Sequence, residues 1–283
     1  MNTNPVVSAP DTPIIVIRPR VGFGGIRFRE LWNGRFLLLR LARRDLTLRY
    51  RQTALGVTWV ILQPLLAAGV LAFVFGRVAK LPNEGVSYFA LTMAGYVGWS
   101  CFSTIVTKAS GSILSNAGMI SKVFFPRLLL PISTVLSTYV DVAVSIGLLV
   151  TVLLLTGVGI SVKFLFIFPL IVLFSLIALG IGTAMAALAV PYRDVNYVLP
   201  VALQLMLYGS PVAYSLVSVP SSVRSIMQVN PLVGLLEGMR WATLPGRVFP
   251  GRALGTSLIG AVVVVIIGLL IFERVERDFA DVI

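Results

Sequence analysis

Val57 to Phe75 contains no charged residue, and five more apolar runs of similar length follow it. A hydrocarbon core of about 30 Å takes roughly 20 helical residues to cross, and inside it each backbone amide must be satisfied within the protein. Runs of this length point to an all-α integral membrane protein with six transmembrane helices. The expected spans are 57–75, 88–106, 128–155, 164–190, 197–217 and 254–272. Only 12% of the 283 residues are charged, about half the share usual in soluble domains. No hydrophilic stretch is long enough to fold around a core of its own.

Charge orients the spans. With six crossings both termini lie on one side, and the segments on that side hold 16 of the 23 Lys and Arg, against 7 on the other. The positive-inside rule places both termini in the cytoplasm. The formal net charge is +12, and residues 1–55 alone carry a net +7 immediately before the first span. Such a juxtamembrane cluster suits anionic lipid headgroups and argues against nucleic acid as a partner.

Residues 1–26 read as an irregular cytoplasmic tail rich in Pro and Gly. They lack the apolar core of a signal peptide, so the spans themselves are expected to drive insertion. Over 27–52 the pattern turns helical. Phe28, Leu31, Trp32, Phe36, Leu39, Ala42 and Leu46 recur at three- and four-residue spacing, with Arg29, Arg40, Arg43 and Arg44 mostly opposite. That pattern predicts an amphipathic helix in the membrane interface; a surface helix packed on protein is the alternative. Arg44, Arg49 and Arg51 stand where the chain passes from this helix into the first span.

Two connections exceed a simple turn. Thr107–Arg127, on the inner side, carries a short helical pattern in Ile113, Leu114, Met119 and Ile120, which reads as a docking site for another protein or as a plain connector. On the outer side, Asn230-Pro231 has the form of an N-cap with Pro at the first helical position. The helix it starts aligns Leu232, Leu235, Leu236 and Met239, with Glu237 and Arg240 three apart. Short helices lying in or dipping into the outer interface are expected over 218–253.

Asp141 is the one acid well inside an expected span. An intramembrane carboxylate is costly, and it is either a functional group or the hydrogen-bonded partner of a neighbouring span. Tyr96, Trp99, Tyr208 and Tyr214 collect towards the outer halves of spans two and five, as an interfacial aromatic belt or as rings lining a sugar pathway.

The sequence has no histidine and one cysteine, Cys101. An intrachain disulfide, a thiolate metal cluster and a histidine base are thereby excluded. No G-x-x-x-x-G-K-[ST] loop and no paired acids occur. A catalytic site, a metal or a cofactor is not expected in this chain.

Seven stretches, in order, resemble the ABC-2 type permeases that export bacterial surface polysaccharides. They are RDLTLRYRQTALGVTWVILQPLL (44–66), AGYVGWSCFS (94–103), SKVFFPRLLLP (121–131), VPYRDVNYVLP (190–200), SPVAYS (210–215), NPLVGLLEGMR (230–240) and ERVERDFADVI (273–283). The resemblance implies that 27–283 is an ABC-2 transmembrane domain of the bacterial inner membrane, working as a homodimer with two copies of a separate cytoplasmic ATPase. ATP and Mg would then be bound by that partner. The implied cargo is O antigen, capsule or teichoic acid, usually on a lipid anchor, moved outward through a channel at the dimer interface. By the same resemblance the inner loop, with Ser112, Leu114, Met119, Ile120 and Lys122, seats in the ATPase. Arg44, Arg49 and Arg51 would meet the headgroup of a lipid-linked glycan, or serve topology and lipid contact alone. The segment over 220–250 would form outer re-entrant helices. An ABC-2 exporter of a small lipid or drug, or a non-transport membrane scaffold for glycan synthesis, is the alternative.

Overall fold

The computed structural model describes residues 28–50, 58–83, 85–276 and Phe279, with side chains at all of these except 28, 29, 49 and 50. Every regular element among the described residues is helical. Helices α1 (Phe28–Asn33) and α2 (Arg35–Tyr50) replace the single expected amphipathic helix, with Gly34 at the corner between them. Then come α3 (Thr58–Ala72), α4 (Tyr88–Gly111), the short α5 (Ala117–Ile120), α6 (Leu129–Leu155), α7 (Ile167–Leu188) and α8 (Val195–Gly209). Two short helices, α9 (Ser221–Met227) and α10 (Pro231–Thr243), precede the last, α11 (Gly251–Glu276).

Five stretches are long and apolar enough to cross a membrane: Thr58–Val78, Tyr88–Gly111, Leu129–Leu155, Val162–Leu188 and Gly251–Glu276. Each overlaps an expected span. The first is α3 prolonged by a π-helical turn, Phe73–Val78, in which the Ala79 amide reaches back five residues to the Val74 carbonyl at 2.8 Å. It ends at Lys80, whose φ of 53° lies in the left-handed region.

The expected span over 197–217 differs. Its helix, α8, has 15 residues and stops at Gly209, covering only about 22 Å. The cause is local. Pro211 has no amide to continue the ladder and drives its predecessor out of the α region; Ser210 is extended, at φ −111° and ψ 147°. The chain runs on without helix to Ser215.

Helix α4 is the axis of the molecule, packed against α3, α6, α7, α8 and α10. Leu91, Met93, Val97, Phe102 and Ile105 from α4 join Leu149 of α6 and Phe174 of α7 in the main core. Helix α7 presents small residues in two directions. A Cβ on Gly268 of α11 would collide with the Gly180 carbonyl, while Gly182 faces Ala109 of α4. Two residues apart on a helix are about 200° apart, so the small positions of α7 let two neighbours approach closely at once.

A second, smaller core sits at the end of the bundle where α2, the 112–127 loop and the start of α6 meet. It holds Leu41, Ile113, Leu129, Leu130, Phe272 and Phe279. The C-terminal Phe279 is 6.0 Å from Phe272, ring to ring at 85°, and the Arg127 guanidinium lies over its other side. Arg127 also donates to the Glu276 carbonyl at 2.9 Å, tying the last helix to the start of α6.

Candidate functional site

At the α2 end, the amphipathic segment packs one face on protein and leaves another exposed. Leu41 and Ala42 are buried in the second core, whereas Trp32, Phe36 and Leu39 stand exposed with the Arg35 guanidinium over the Trp32 and Phe36 rings. Arg44, with 41% of its side chain exposed, donates to Asp45 Oδ1 at 3.1 Å and to Asn116 Oδ1 at 2.6 Å. The side chain of Arg49, and Arg51 altogether, lie outside the described residues.

The residues of the expected docking loop do not share one surface. Ser112 is buried and donates to the Ala109 carbonyl at 2.7 Å. Leu114, Met119 and Ile120 are half-buried against the second core. Lys122 is exposed, and beside it stand Val123 and Phe124, the latter 79% exposed. An apolar pair thrust out next to a lysine was not singled out by the sequence reading. The signal was there in VFFP, a hydrophobic run ending in a proline that cannot continue a helix, so its rings lie on a loop.

Asp141 of α6 is paired. Its Oδ2 accepts from Lys108 Nζ at 3.4 Å, and the same ammonium donates to Thr138 Oγ1 at 3.2 Å. Lys108, expected in the inner loop, belongs to the last turn of α4. The pair ties α4 to α6 along a buried row of small hydroxyls. Ser133, Thr134, Ser137 and Thr138 each donate to a carbonyl three or four residues back in α6, so the row is satisfied without water.

The opposite end is built around the irregular segment after α8. Asn230 caps α10 by accepting from the Leu232 amide at 3.0 Å and donates to Ser210 Oγ at 3.0 Å. Leu232, Leu235, Leu236 and Met239 are buried together, and Arg240 pairs with Glu237 at 2.7 Å. Cap, face and pair all follow the sequence pattern. The depth does not: Arg240 is fully buried, donating to the carbonyls of Pro211 and Val212. Tyr88 donates to the next carbonyl, Ala213, at 2.7 Å. Gly95 of α4 completes the site, because a side chain there would strike the Val212 carbonyl. Non-helical backbone within the bundle is thereby satisfied by side chains, the condition for its existence away from water. The sequence pattern paired Arg240 with Glu237 but did not show that Arg240 and Tyr88 close the carbonyls of the 211–213 segment.

The four aromatics divide. Trp99 is buried against Phe102 with centroids 5.5 Å apart, and Tyr96 is half-buried on the main core. Tyr208 is 54% exposed, and the Tyr214 hydroxyl donates to its carbonyl at 3.0 Å. Tyr214 also meets Phe75 of the π turn, centroids 5.9 Å apart. Tyr208 and Tyr214 thus stand where the π turn that prolongs α3 meets the segment after α8.

Fold and site together define a polytopic membrane protein whose polar side chains join its own segments. Comparison with known proteins sharpens that class. The ABC-2 type transporter family matches residues 37–244, and the chain belongs to this family. It is a permease rather than a catalyst, a multi-pass protein of the inner membrane. It is similar to the O-antigen export system permease protein RfbA of Klebsiella pneumoniae, 27% identical over 248 residues that cover 87% of this chain and 95% of that protein. The protein of the same name from Myxococcus xanthus is 29% identical over 89% of this chain and 97% of its own length. The polysialic acid transport protein KpsM of Escherichia coli is 27% identical over 83% of this chain and 91% of its own.

Proposed function

We propose that the chain is the permease subunit of an ATP-driven exporter that moves a lipid-linked polysaccharide from the cytoplasmic to the outer side of the inner membrane. One observation carries this reading: relatives named for O-antigen and polysialic acid export match it nearly end to end. Two copies form the working unit, with two copies of a separate ATPase binding ATP and Mg at the cytoplasmic face. Both termini and the 112–127 loop lie on that face, consistent with the charge asymmetry.

The channel runs between the two copies along α3 and α8. Their support is the apolar surface left uncovered in one chain: Trp59, Leu66 and Val70 on α3, and Tyr197, Val201 and Leu205 on α8. The sixth crossing is completed by the irregular segment 210–215 that follows α8. Helices α9 and α10 re-enter from the outer side, with α10 packed against α4, α7 and α11. Lys122, Val123 and Phe124 extend the loop surface that seats the ATPase. Arg49 and Arg51 meet the anionic headgroup, a role suited to the guanidinium fork, and Arg44 supports them from α2 without touching it. Tyr208 and Tyr214 offer ring faces to the passing sugars.

The test is export of glycan in membrane vesicles that contain the permease and its partner ATPase. ATP-dependent glycan transfer is expected in the intact complex. Replacing both Arg49 and Arg51 by Gln is expected to lower it by roughly tenfold, the scale of a lost charge-assisted contact. Alanine at both Tyr208 and Tyr214 slows transfer while the complex still assembles. An intact complex that hydrolyses ATP but moves no glycan would sink the reading.

A further inference from the structure

A side-chain bridge joins α2 to the inner loop across 72 residues of sequence: Arg44 Nη2 donates to Asn116 Oδ1 at 2.6 Å. Both ends of this bridge are fixed. On the α2 side, Asp45 accepts from the same guanidinium nitrogen at 3.1 Å, and the helix is held by Leu41 and Ala42 in the second core. On the loop side, the Asn116 amide nitrogen donates to the Ser112 carbonyl at 2.8 Å, just beyond the end of α4. Asn116 therefore uses one half of its amide on the end of the long central helix and the other on the interfacial helix. Its carbonyl faces a cation and its amino group faces a carbonyl, so each half of the amide meets a partner of the right polarity.

We infer that Arg44 and Asn116 form a coupling latch that transmits displacement of the inner loop to the interfacial helix, so that the nucleotide state of the ATPase sets the position of α2. This rests on the export reading for its direction of travel. The loop joins α4 and α6 covalently, but α2 is separated from it by the whole of α3 and α4. Packing through Leu41 and Ile113 in the second core is apolar and allows sliding; the hydrogen bond at 2.6 Å is directional and fixes register. Arg44 is thus a positioning residue, acting on the substrate through the helix it steers. The two residues that follow it on the way to the first span, Arg49 and Arg51, are carried along by the same movement.

A double-mutant cycle tests the latch, with glycan exported per ATP hydrolysed as the readout. In the assembled complex, Asn116→Ala is expected to lower that ratio by about tenfold, in line with loss of one charge-assisted hydrogen bond. Arg44→Ala added to Asn116→Ala should lower it no further. Asn116→Asp, which keeps an oxygen for Arg44, should retain most of the coupling. Equal and additive losses from the two alanine variants overturn the latch, because Arg44 would then act elsewhere, on headgroups for example. Loss of ATPase co-purification in both Asn116 variants overturns it as well, since the residue would then serve docking. A second arm needs no glycan. In a Cys101→Ala background, reaction of Thr47→Cys on α2 with a water-soluble thiol reagent should change with ATP, and Asn116→Ala should abolish the change. If the complex moves no glycan but this ATP-dependent change is present and abolished by Asn116→Ala, the export reading fails while the latch stands. If the complex exports and the labelling never changes with ATP, the latch fails alone.

Discussion

Arg240 shows how far a residue's role can depart from its place in the sequence. In the charge count it is one of seven cations on the outer side; in the fold it is buried completely, closing the Pro211 and Val212 carbonyls and pairing with Glu237. Removing one partner of such a group strands the others, which in buried ion pairs costs about 3–5 kcal/mol. Arg240→Ala should therefore lower the thermal unfolding midpoint of the purified permease in detergent by several degrees. Arg240→Lys should recover only part of the loss, because a single ammonium cannot reproduce the planar fork. An unchanged midpoint for both would remove Arg240 from the site. The sequence spacing correctly paired Arg240 with Glu237 and capped α10 with Asn230, since both contacts lie within one helix. The links to Pro211 and Val212 cross 29 and 28 residues, and no local pattern carries them. Asp141 and Lys108 repeat the lesson across two helices: the carboxylate stood out, its partner did not.

At the scale of elements, boundaries were legible wherever they coincide with a change in hydropathy, and less so where backbone chemistry intervenes. Span 57–75 and span 128–155 fall within a few residues of their helices. The stretch to 217 does not, because hydropathy carries on past Gly209 while Pro211 stops the helix. The crossing of α7 and α11 offers a sharp test. Gly268→Leu would drive a side chain into the Gly180 carbonyl, and overpacking costs about 1–3 kcal/mol even where neighbours can shift. Gly147→Ala, on α6 with nothing within reach of a Cβ, should instead be neutral or stabilise by roughly 0.5–1 kcal/mol through helix propensity. Detergent melting curves of the two variants should diverge in sign; a harmless leucine at 268 would mean that the two helices do not touch there.

For the whole molecule, the two cores divide the labour. The main core fixes the bundle around α4, and the second core gathers α2, the inner loop, α6, α11 and Phe279 at one end. Docking of an ATPase at that end should depend on the exposed Phe124 and not on residues already used for packing. Phe124→Asp is expected to abolish co-purification of the ATPase while the permease alone melts as before. Met119→Asp should lower the melting point of the permease itself. If Phe124→Asp leaves the complex intact, the docking surface lies elsewhere on the loop. The existence of the loop could be read from polarity; which of its side chains turn outward depends on a core assembled from segments far apart in sequence, and that was beyond sequence reading.

The π turn at Phe73–Val78 carries one consequence for how this chain can vary. An α-helical span normally cannot lose a residue, since everything beyond the deletion rotates by about 100° and rises by 1.5 Å. A π turn stores one surplus residue in its wider loop. Loss of a residue within Phe73–Val78 would let that turn relax to α geometry and leave the rest of the molecule in register, whereas the same loss within Thr58–Ala72 would rotate its buried positions Val60, Pro64 and Ala68 out of register with one another. The Phe73–Val78 end of the first span is thus the place where its length can drift without the bundle noticing.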